Sequence, residues 1–286
     1  MLVTGHTGFI GSNLVPYLQA LGLEVIGCSR RTGCDASDMA ALSKFLDGCD
    51  MLFHLAADAR PAESLMTPEE TIHTNVQMTI KVALACRDAG LPLIFVSSCE
   101  IYGDSDHVID ENSPLRPTNP YAASKAASDR ILYSFYKCYG LDVKIVRLFN
   151  PYGPNQQLNK VIPTFYRQAK ANKSITVYGN GTDCRDYVYV EDVVRGLWDA
   201  RKLPSGEAVN LATGIGTTNI ELAKLVIEKT SSTSKIEFVP YPKLFGGIHR
   251  QIGSYEKARK LLGWEPKVPL AEGIDRTLRW LESLRG

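Results

Sequence analysis

Blocks of apolar and polar residues alternate regularly through the first half of the chain. Leu2-Val3-Thr4 reads as a short strand, and a helical period runs from Ile10 to Leu21, closed by Gly22. Glu24 to Cys28 is the next strand, Asp35 to Leu46 has the spacing of a short helix ended by Gly48, and Met51 to Ala56 is again a strand. Pro68 to Ala89 predicts a long helix stopped by Gly90, with Asn75 inside it placed to tie neighbouring strands together. Leu93 to Val96 is an apolar run of strand length, and Val143 to Leu148 is another. Between them Asn119 is placed to cap a helix with Pro120 in its first turn and Gly140 at its end. Strands alternating with helices imply an α/β fold with a parallel, doubly wound sheet, and such sheets bind ligands at the carboxyl ends of their strands.

Beyond Pro154 the pattern changes. Val161 to Asn172 reads as helical, Tyr178 to Asp186 as irregular, and Tyr187 to Val190 as a strand leading into a helix from Glu191 to Leu203. Ala208 to Leu211 predicts a return strand of the main sheet, and Thr218-Asn219-Ile220-Glu221 has the form of a capping box opening a helix to Lys229. A strand over Ile236 to Val239, a helix near Ser254 to Leu262 and an amphipathic helix from Leu270 to Leu284 complete the chain. The expected organisation is a dinucleotide-binding unit formed by 1–150 and 187–213. A smaller C-terminal α/β lid for substrate is formed by 151–186 and 214–286.

Candidate chemistry begins directly after the first strand, in Gly5-His6-Thr7-Gly8-Phe9-Ile10-Gly11. Glycines spaced this way between strand and helix let the backbone turn tightly and approach a pyrophosphate at the helix N-terminus. Gly5, Thr7, Gly8, Phe9, Ile10 and Gly11 are therefore assigned to a nicotinamide dinucleotide, and Leu55-Ala56-Ala57 supply small residues past which it would run. The second strand ends in Ser29-Arg30-Arg31, where an acid for the ribose hydroxyls of NAD usually stands. A carboxylate would repel a 2′-phosphate whereas serine and two arginines bind one, so NADP is favoured over NAD. The competing reading of Arg30 and Arg31 is a solvated turn. Ser98 ends the central strand, and Tyr121 and Lys125 stand four apart on the following helix, sharing one face. A phenol with an ammonium beside it is a plausible proton shuttle for a hydroxyl or carbonyl, with Ser98 donating to the same oxygen. His54, flanked by apolar residues, reads as a packed structural histidine.

Composition narrows the class. With 44% hydrophobic residues, 22% charged residues and a net charge of +1, the chain has no basic excess to favour nucleic acid or an anionic membrane. It has no run of 18 apolar residues. The first strand is short for its motif, so a few native residues are expected to be missing ahead of Met1. The seven cysteines include no CxxC pair and sit mostly in apolar contexts, which predicts free thiols and a cytoplasmic protein, without a metal site.

Taken together, these residues resemble the extended short-chain dehydrogenase/reductase family that acts on nucleotide-diphosphate sugars. The resemblance rests on Gly5-x-x-Gly8-x-x-Gly11, His54-Leu55-Ala56-Ala57, Ser98 with Tyr102-Gly103, and Tyr121-x-x-x-Lys125. It extends through Asn150-Pro151-Tyr152-Gly153-Pro154, Gly181 to Asp192 and Leu262-Gly263-Trp264-Glu265-Pro266. It implies a Rossmann-like fold, a nucleotide-diphosphate sugar as substrate and hydride transfer at the hexose, commonly at C4. Tyr121 would exchange the hydroxyl proton, Lys125 would hold the nicotinamide ribose and lower the tyrosine pKa, and Ser98 would bond the reacting oxygen. Asn150, Arg185 and Arg250 match positions that contact the sugar or diphosphate, with surface ion pairs as the alternative for the two arginines. Asp35 matches a position near the adenine, with helix capping as its alternative. Relatives commonly dimerise through two long helices, here Pro68–Ala89 and Pro120–Tyr139.

Glu100 leaves the reaction open. Sugar 4,6-dehydratases of this family usually carry Asp-Glu after the Ser or Thr, and epimerases a small neutral residue. Here the pair is Cys99-Glu100, a combination nearer to certain decarboxylases, dehydratases and 4-keto-sugar reductases. The leading expectation is an epimerase/dehydratase-type oxidoreductase. The alternatives are an NADPH-dependent 4-keto-6-deoxy-sugar reductase and a non-catalytic dinucleotide-binding protein.

Overall fold

The computed structural model of the chain describes residues 1–244 and 247–284. Its first half is built as β1 (Leu2–Thr4), α1 (Gly11–Ala20), β2 (Ile26–Cys28), α2 (Met39–Ser43), β3 (Leu52–His54), α3 (Pro61–Ser64), α4 (Pro68–Ala89) and β4 (Leu93–Ser98). Then come α5 (Pro120–Tyr139), β5 (Val143–Leu148), β6 (Pro151–Tyr152), α6 (Val161–Lys170), β7 (Ile175–Tyr178), β8 (Cys184–Asp186), β9 (Val188–Tyr189), α7 (Val190–Asp199) and β10 (Ala208–Leu211). The remainder is β11 (Gly216–Thr218), α8 (Asn219–Lys229), β12 (Ile236–Val239), β13 (Arg250–Gln251), α9 (Glu256–Leu262) and α10 (Leu270–Ser283).

Six strands form one sheet in the order β10-β5-β4-β3-β1-β2, all paired parallel. Its central strands β4 and β5 are buried along almost their whole length because both faces are covered. On β4 and β5, Leu93, Phe95, Val143 and Ile145 pack towards α4 and α5 with Met78, Val82 and Leu132. Ile94, Val96, Val146 and Leu148 pack on the other side with Leu14 of α1, Val193 and Leu197 of α7, and Trp264. A separate cluster holds Phe165, Ile175, Val177, Leu222, Val226 and Ile274, so the elements around β7 have a core of their own.

Long helices begin and end where their caps put them. The Asn119 side chain accepts from the Ala122 N–H, and Gly140 closes α5 in the left-handed conformation at φ 68°. Gly90 closes α4 in the same way, and the Thr218–Glu221 capping box is present in both directions. Shorter elements depart from the sequence reading. The helix expected over Asp35 to Leu46 shrinks to Met39–Ser43, because the Asp35 carboxylate accepts from the Ser37 N–H and hydroxyl and Asp38 does the capping. The stretch read as irregular contains β8, which pairs with β11 and β13. Asn75 joins not two strands but the loop after β3 to α5, accepting from the Asp58 N–H and donating to the Asp58 carbonyl and the Ser124 hydroxyl.

The cysteine expectation is corrected at one place. Cys28 and Cys34 form a disulfide, because the 3-10 turn Arg30–Thr32 and Gly33 at φ 81° fold the chain back until the two Cα atoms are 5.0 Å apart. Cys49, Cys86, Cys99, Cys138 and Cys184 are free, the first three of them buried.

Candidate active site

A cleft of about 1020 Å³ runs across the carboxyl ends of the parallel strands. It exceeds the size usual for one small ligand and suits a dinucleotide lying end to end with a second molecule. One wall is the glycine loop. A Cβ on Gly5 would come within 2.7 Å of the Ala56 nitrogen, and one on Gly11 within 2.4 Å of the Gly5 oxygen, so only glycine allows loop, β3 and α1 to meet. Gly8, by contrast, is exposed on the cleft side. Thr7, Phe9, Ile10, Leu55, Ala56 and Ala57 line the same region. A cradle with this close backbone approach and a helix N-terminus fits a nicotinamide dinucleotide's pyrophosphate.

Ser29, Arg30, Arg31 and Asp35 line the far end of the cleft, beside the Cys28–Cys34 disulfide. The Thr7 hydroxyl donates to the Ser29 hydroxyl at 3.2 Å, tying the glycine loop to this turn. Asp35 caps no helix. Its bonds from Ser37 hold its carboxyl below the ordinary range.

At the opposite end the structure brings Ser98, Glu100, Tyr121 and Lys125 together on the cleft wall. Ser98 ends β4, and its hydroxyl accepts from the Glu100 N–H at 3.2 Å, opening the 3-10 turn Cys99–Tyr102. Tyr121 and Lys125 lie on α5, both buried. Lys125 donates to the Val96 carbonyl and sits 4.2 Å from the centre of the Phe95 ring. Burial lowers its pKa to about 7, with Asp129 opposing. The phenol of Tyr121 is raised above its ordinary value, by burial and then by the Glu100 carboxylate, while a hydrogen bond with Ser98 pulls it down. The expected lowering by Lys125 is therefore not what governs the protein alone. The ammonium is turned to a backbone oxygen, and desolvation wins.

Glu100 is enclosed apart from its opening to the cleft. Burial raises its pKa, and Asn119, Lys160 and Arg185 act in the other direction. The Asn119 amide donates to its carboxylate at 2.8 Å. Beside it Cys99 is buried, its thiol pushed up to about 12 by burial and then by Glu100, and it lies 3.4 Å from the Gln251 side-chain oxygen. His54 is the structural residue expected, 2.8 Å from the Thr4 hydroxyl, its pKa lowered to about 3 by burial and by Lys125.

Of the three residues assigned to substrate, two face the cleft. Asn150 lines it and donates to the Asp186 carbonyl at 3.2 Å. Arg185 lines it too, its guanidinium donating to the carbonyls of Cys184, Ile248 and His249. Among the described residues neither Arg185 nor Arg250 makes the ion pair that the alternative supposed. Arg250 does not reach the cleft lining but donates to the Ser105 carbonyl at 3.0 Å. Other family motifs prove architectural. Asp186 gathers the N–H groups of Thr213, Gly214 and Gly253, and Trp264 donates to the Asp192 carbonyl.

Sequence reasoning missed part of the lining. Thr176 and Tyr178 reach the cleft from β7, and Lys160 and Gln168 from the start and interior of α6. The alternation Ile175-Thr176-Val177-Tyr178, with the first and third buried, was a readable strand signal. Nothing in the sequence placed Asn119 against Glu100.

Among the described residues no group of three or more His, Cys, Asp and Glu is placed to hold a metal, and no helix is long and apolar enough to cross a membrane.

Residues 1–212 match the model of the NAD dependent epimerase/dehydratase family. Over 98% of this chain and 72% of its own length, UDP-glucuronic acid decarboxylase 1 of Danio rerio is 30% identical. The UDP-glucose 4-epimerase of Thermotoga maritima, solved with UDP-glucose, superposes with a TM-score of 0.93 at 30% identity, over 100% of this chain and 99% of that one. The dTDP-glucose 4,6-dehydratase of Streptomyces venezuelae, solved with NAD, gives 0.93 at 33% identity over 100% and 97%. With its Rossmann-like parallel sheet, its glycine cradle and its Ser98–Tyr121–Lys125 wall, the chain belongs to the NAD-dependent epimerase/dehydratase family of nucleotide-sugar enzymes.

Proposed function

We propose that the protein oxidises a nucleotide-diphosphate hexose at C4, exchanges a proton at C5 through Glu100, and returns the hydride to the sugar before release. The observation carrying this reading is Glu100 itself, a carboxyl on the cleft wall near Tyr121, held by a neutral amide and raised by burial towards a proton-carrying role. A nicotinamide dinucleotide in the glycine cradle supplies the hydride acceptor. Tyr121 takes the C4 hydroxyl proton and Ser98 bonds the same oxygen. The high phenol pKa of the protein alone makes Tyr121 a proton donor at rest. It becomes a base only when positive charge is placed against it, which ties proton removal to a loaded site. Once C4 is a ketone, the C5 hydrogen is acidic, and Glu100 is the group in reach. Arg185 and Asn150 hold the diphosphate and sugar.

Cys99 favours a second reading of the closing step. Expelling a C6 hydroxyl as water calls for an acid, and a buried thiol at about 12 is a poor one. A C6 carboxylate leaves as carbon dioxide without such an acid, as in a UDP-glucuronic acid decarboxylase of the kind this chain is similar to. For the cofactor we favour NADP. Ser29, Arg30 and Arg31 at the cleft's end and the lack of a carboxylate directly after β2 support it. A homodimer through α4 and α5 is supported by the apolar side chains Ile72, Tyr133 and Tyr139, each more than a third exposed there.

The deciding test is product mass after incubation with UDP-glucose, dTDP-glucose and UDP-glucuronic acid, with NAD or NADP. Loss of water or loss of carbon dioxide, each without net cofactor consumption, fits the proposal and names the closing step; an isomer of unchanged mass fits it only if the C5 hydrogen has exchanged with solvent. Stoichiometric consumption of NADPH with a 4-keto-sugar would replace it with a reductase.

A further inference from the structure

We infer that Asn119 is the positioning residue of Glu100, holding that carboxylate in register with the helix that carries Tyr121 and Lys125. The catalytic consequence rests on the reading of Glu100 given above. The geometry does not.

Asn119 is buried at 7% exposure, and its side chain is used at both ends. Its amide oxygen accepts from the Ala122 N–H at 2.8 Å, which caps α5, while its amide nitrogen donates to Glu100 Oε2 at 2.8 Å. The first bond dictates the second. An oxygen committed to the helix N-terminus fixes which way the amide faces, so the NH₂ group must point away from the helix, where Glu100 waits. Asp and Ser cap helices about as well as Asn. Asp would place a second carboxylate against Glu100, and Ser is too short to cap and reach it together. Of the strong capping residues, only Asn both starts this helix and supplies a donor to the acid.

The environment of Glu100 gives this one bond its weight. The titratable groups facing it are the phenol of Tyr121, the thiol of Cys99, and the cations Lys160 and Arg185. A carboxylate enclosed in this way tends to neutralise, and the hydrogen bond from Asn119 favours its charged form, as Lys160 and Arg185 also do. Asn119 therefore sets both the place of the carboxylate and the pH at which it is a base.

The test compares Asn119→Ser and Asn119→Asp, which keep a cap, with Asn119→Ala, which does not. Glutamate carboxyl carbons are labelled with ¹³C and titrated by NMR in the protein alone, the Glu100 signal being identified by its loss in Glu100→Gln. Asn119→Ser should move the Glu100 midpoint upwards, and Asn119→Asp should move it further, while both keep the cap of α5. Asn119→Ala should also lower the thermal midpoint, because the cap of α5 is missing. In D₂O, with UDP-glucose, dTDP-glucose or UDP-glucuronic acid and the bound cofactor, Asn119→Ser should slow solvent exchange at C5 by roughly 10–100-fold. The extent of cofactor reduction, which reports oxidation at C4, should stay unchanged. A Glu100 midpoint that does not move in either capped variant would overturn the inference. If the midpoint moves as stated but wild type exchanges no C5 hydrogen in any of the three sugars, the coupling of Asn119 to Glu100 stands. What fails then is the assignment of Glu100 to C5.

Discussion

The proposed catalytic end of the cleft and its proposed substrate-anchoring side hold their polar groups differently. Around β4 and α5 the side chains of Glu100 and Ser98 are already set by the protein, Glu100 on the Asn119 amide and Ser98 on the Glu100 N–H. On the other side, Arg185 rests on three backbone carbonyls of β8 and the segment before β13. A carbonyl is a neutral acceptor, and a phosphate oxygen would bind a guanidinium roughly twice as strongly. The first region is built to keep its geometry when substrate arrives, the second to exchange one partner for a better one. Preorganisation is concentrated where the proposed mechanism moves protons.

The sharpest way to break this contrast is Tyr121→Phe. The phenyl ring keeps the packing and removes only the hydroxyl, so turnover should fall by about 10²–10⁴-fold. Binding of the dinucleotide, followed by fluorescence titration, should be nearly unchanged. Retained turnover would mean that the proton leaves by another route and that this wall is architecture.

Arg185→Ala probes the other side and should cost less. Losing a hydrogen bond to a charged group costs about 1.5–3 kcal/mol, so KM for the sugar nucleotide should rise by roughly 10–100-fold with kcat less affected. A fall in kcat with KM unchanged would show that Arg185 acts in the chemistry and that the contrast is drawn in the wrong place.

The same contrast explains what could be read from the sequence. Tyr121 and Lys125 were legible because a helix fixes side chains four apart on one face, and Gly5 and Gly11 because a close backbone approach admits no other residue. The long helices were legible from Asn119, Gly90 and Gly140, whose capping chemistry is local. Asn119 against Glu100 was not, because 18 residues lie between them and nothing local records which way a capping amide faces. Arg250 was placed by resemblance, yet its guanidinium lies on the Ser105 carbonyl, a partner 145 positions away. The disulfide was hidden for a related reason. Apolar context describes burial, whereas pairing depends on the turn that brings Cys34 back to Cys28.

At the adenosine end, replacing Arg30 and Arg31 together by alanine should weaken NADP binding by about 10-fold, for one charge-assisted bond lost, and leave NAD within two-fold. Equal weakening of both would make the pair a support for the turn rather than a reader of the 2′-phosphate.

The remaining effect is on stability rather than activity and concerns how the sheet end of the cleft tolerates charge. His54 is fully enclosed, and its pKa in the folded protein is lowered to about 3 from an ordinary 6.5. Above about pH 6.5 both folded and unfolded chains carry it neutral, and it contributes nothing to the pH dependence of stability. Below that value the unfolded chain takes up a proton that the folded one refuses, so stability declines as pH falls, at up to ~1.4 kcal/mol per unit until about pH 3. Lys125, lowered to about 7 from 10.5, acts in the same sense in the next window, with stability declining as pH drops from 10.5 towards 7. Thermal melts of wild type and His54→Gln across the acidic window separate the two, since only the slope below about pH 6.5 belongs to His54. Gln cannot take up the proton, so that limb should flatten whatever the change in absolute stability. An unaltered slope would place the acid sensitivity in the carboxylates instead, and the sheet end would be no more hostile to charge than the side that holds Arg185.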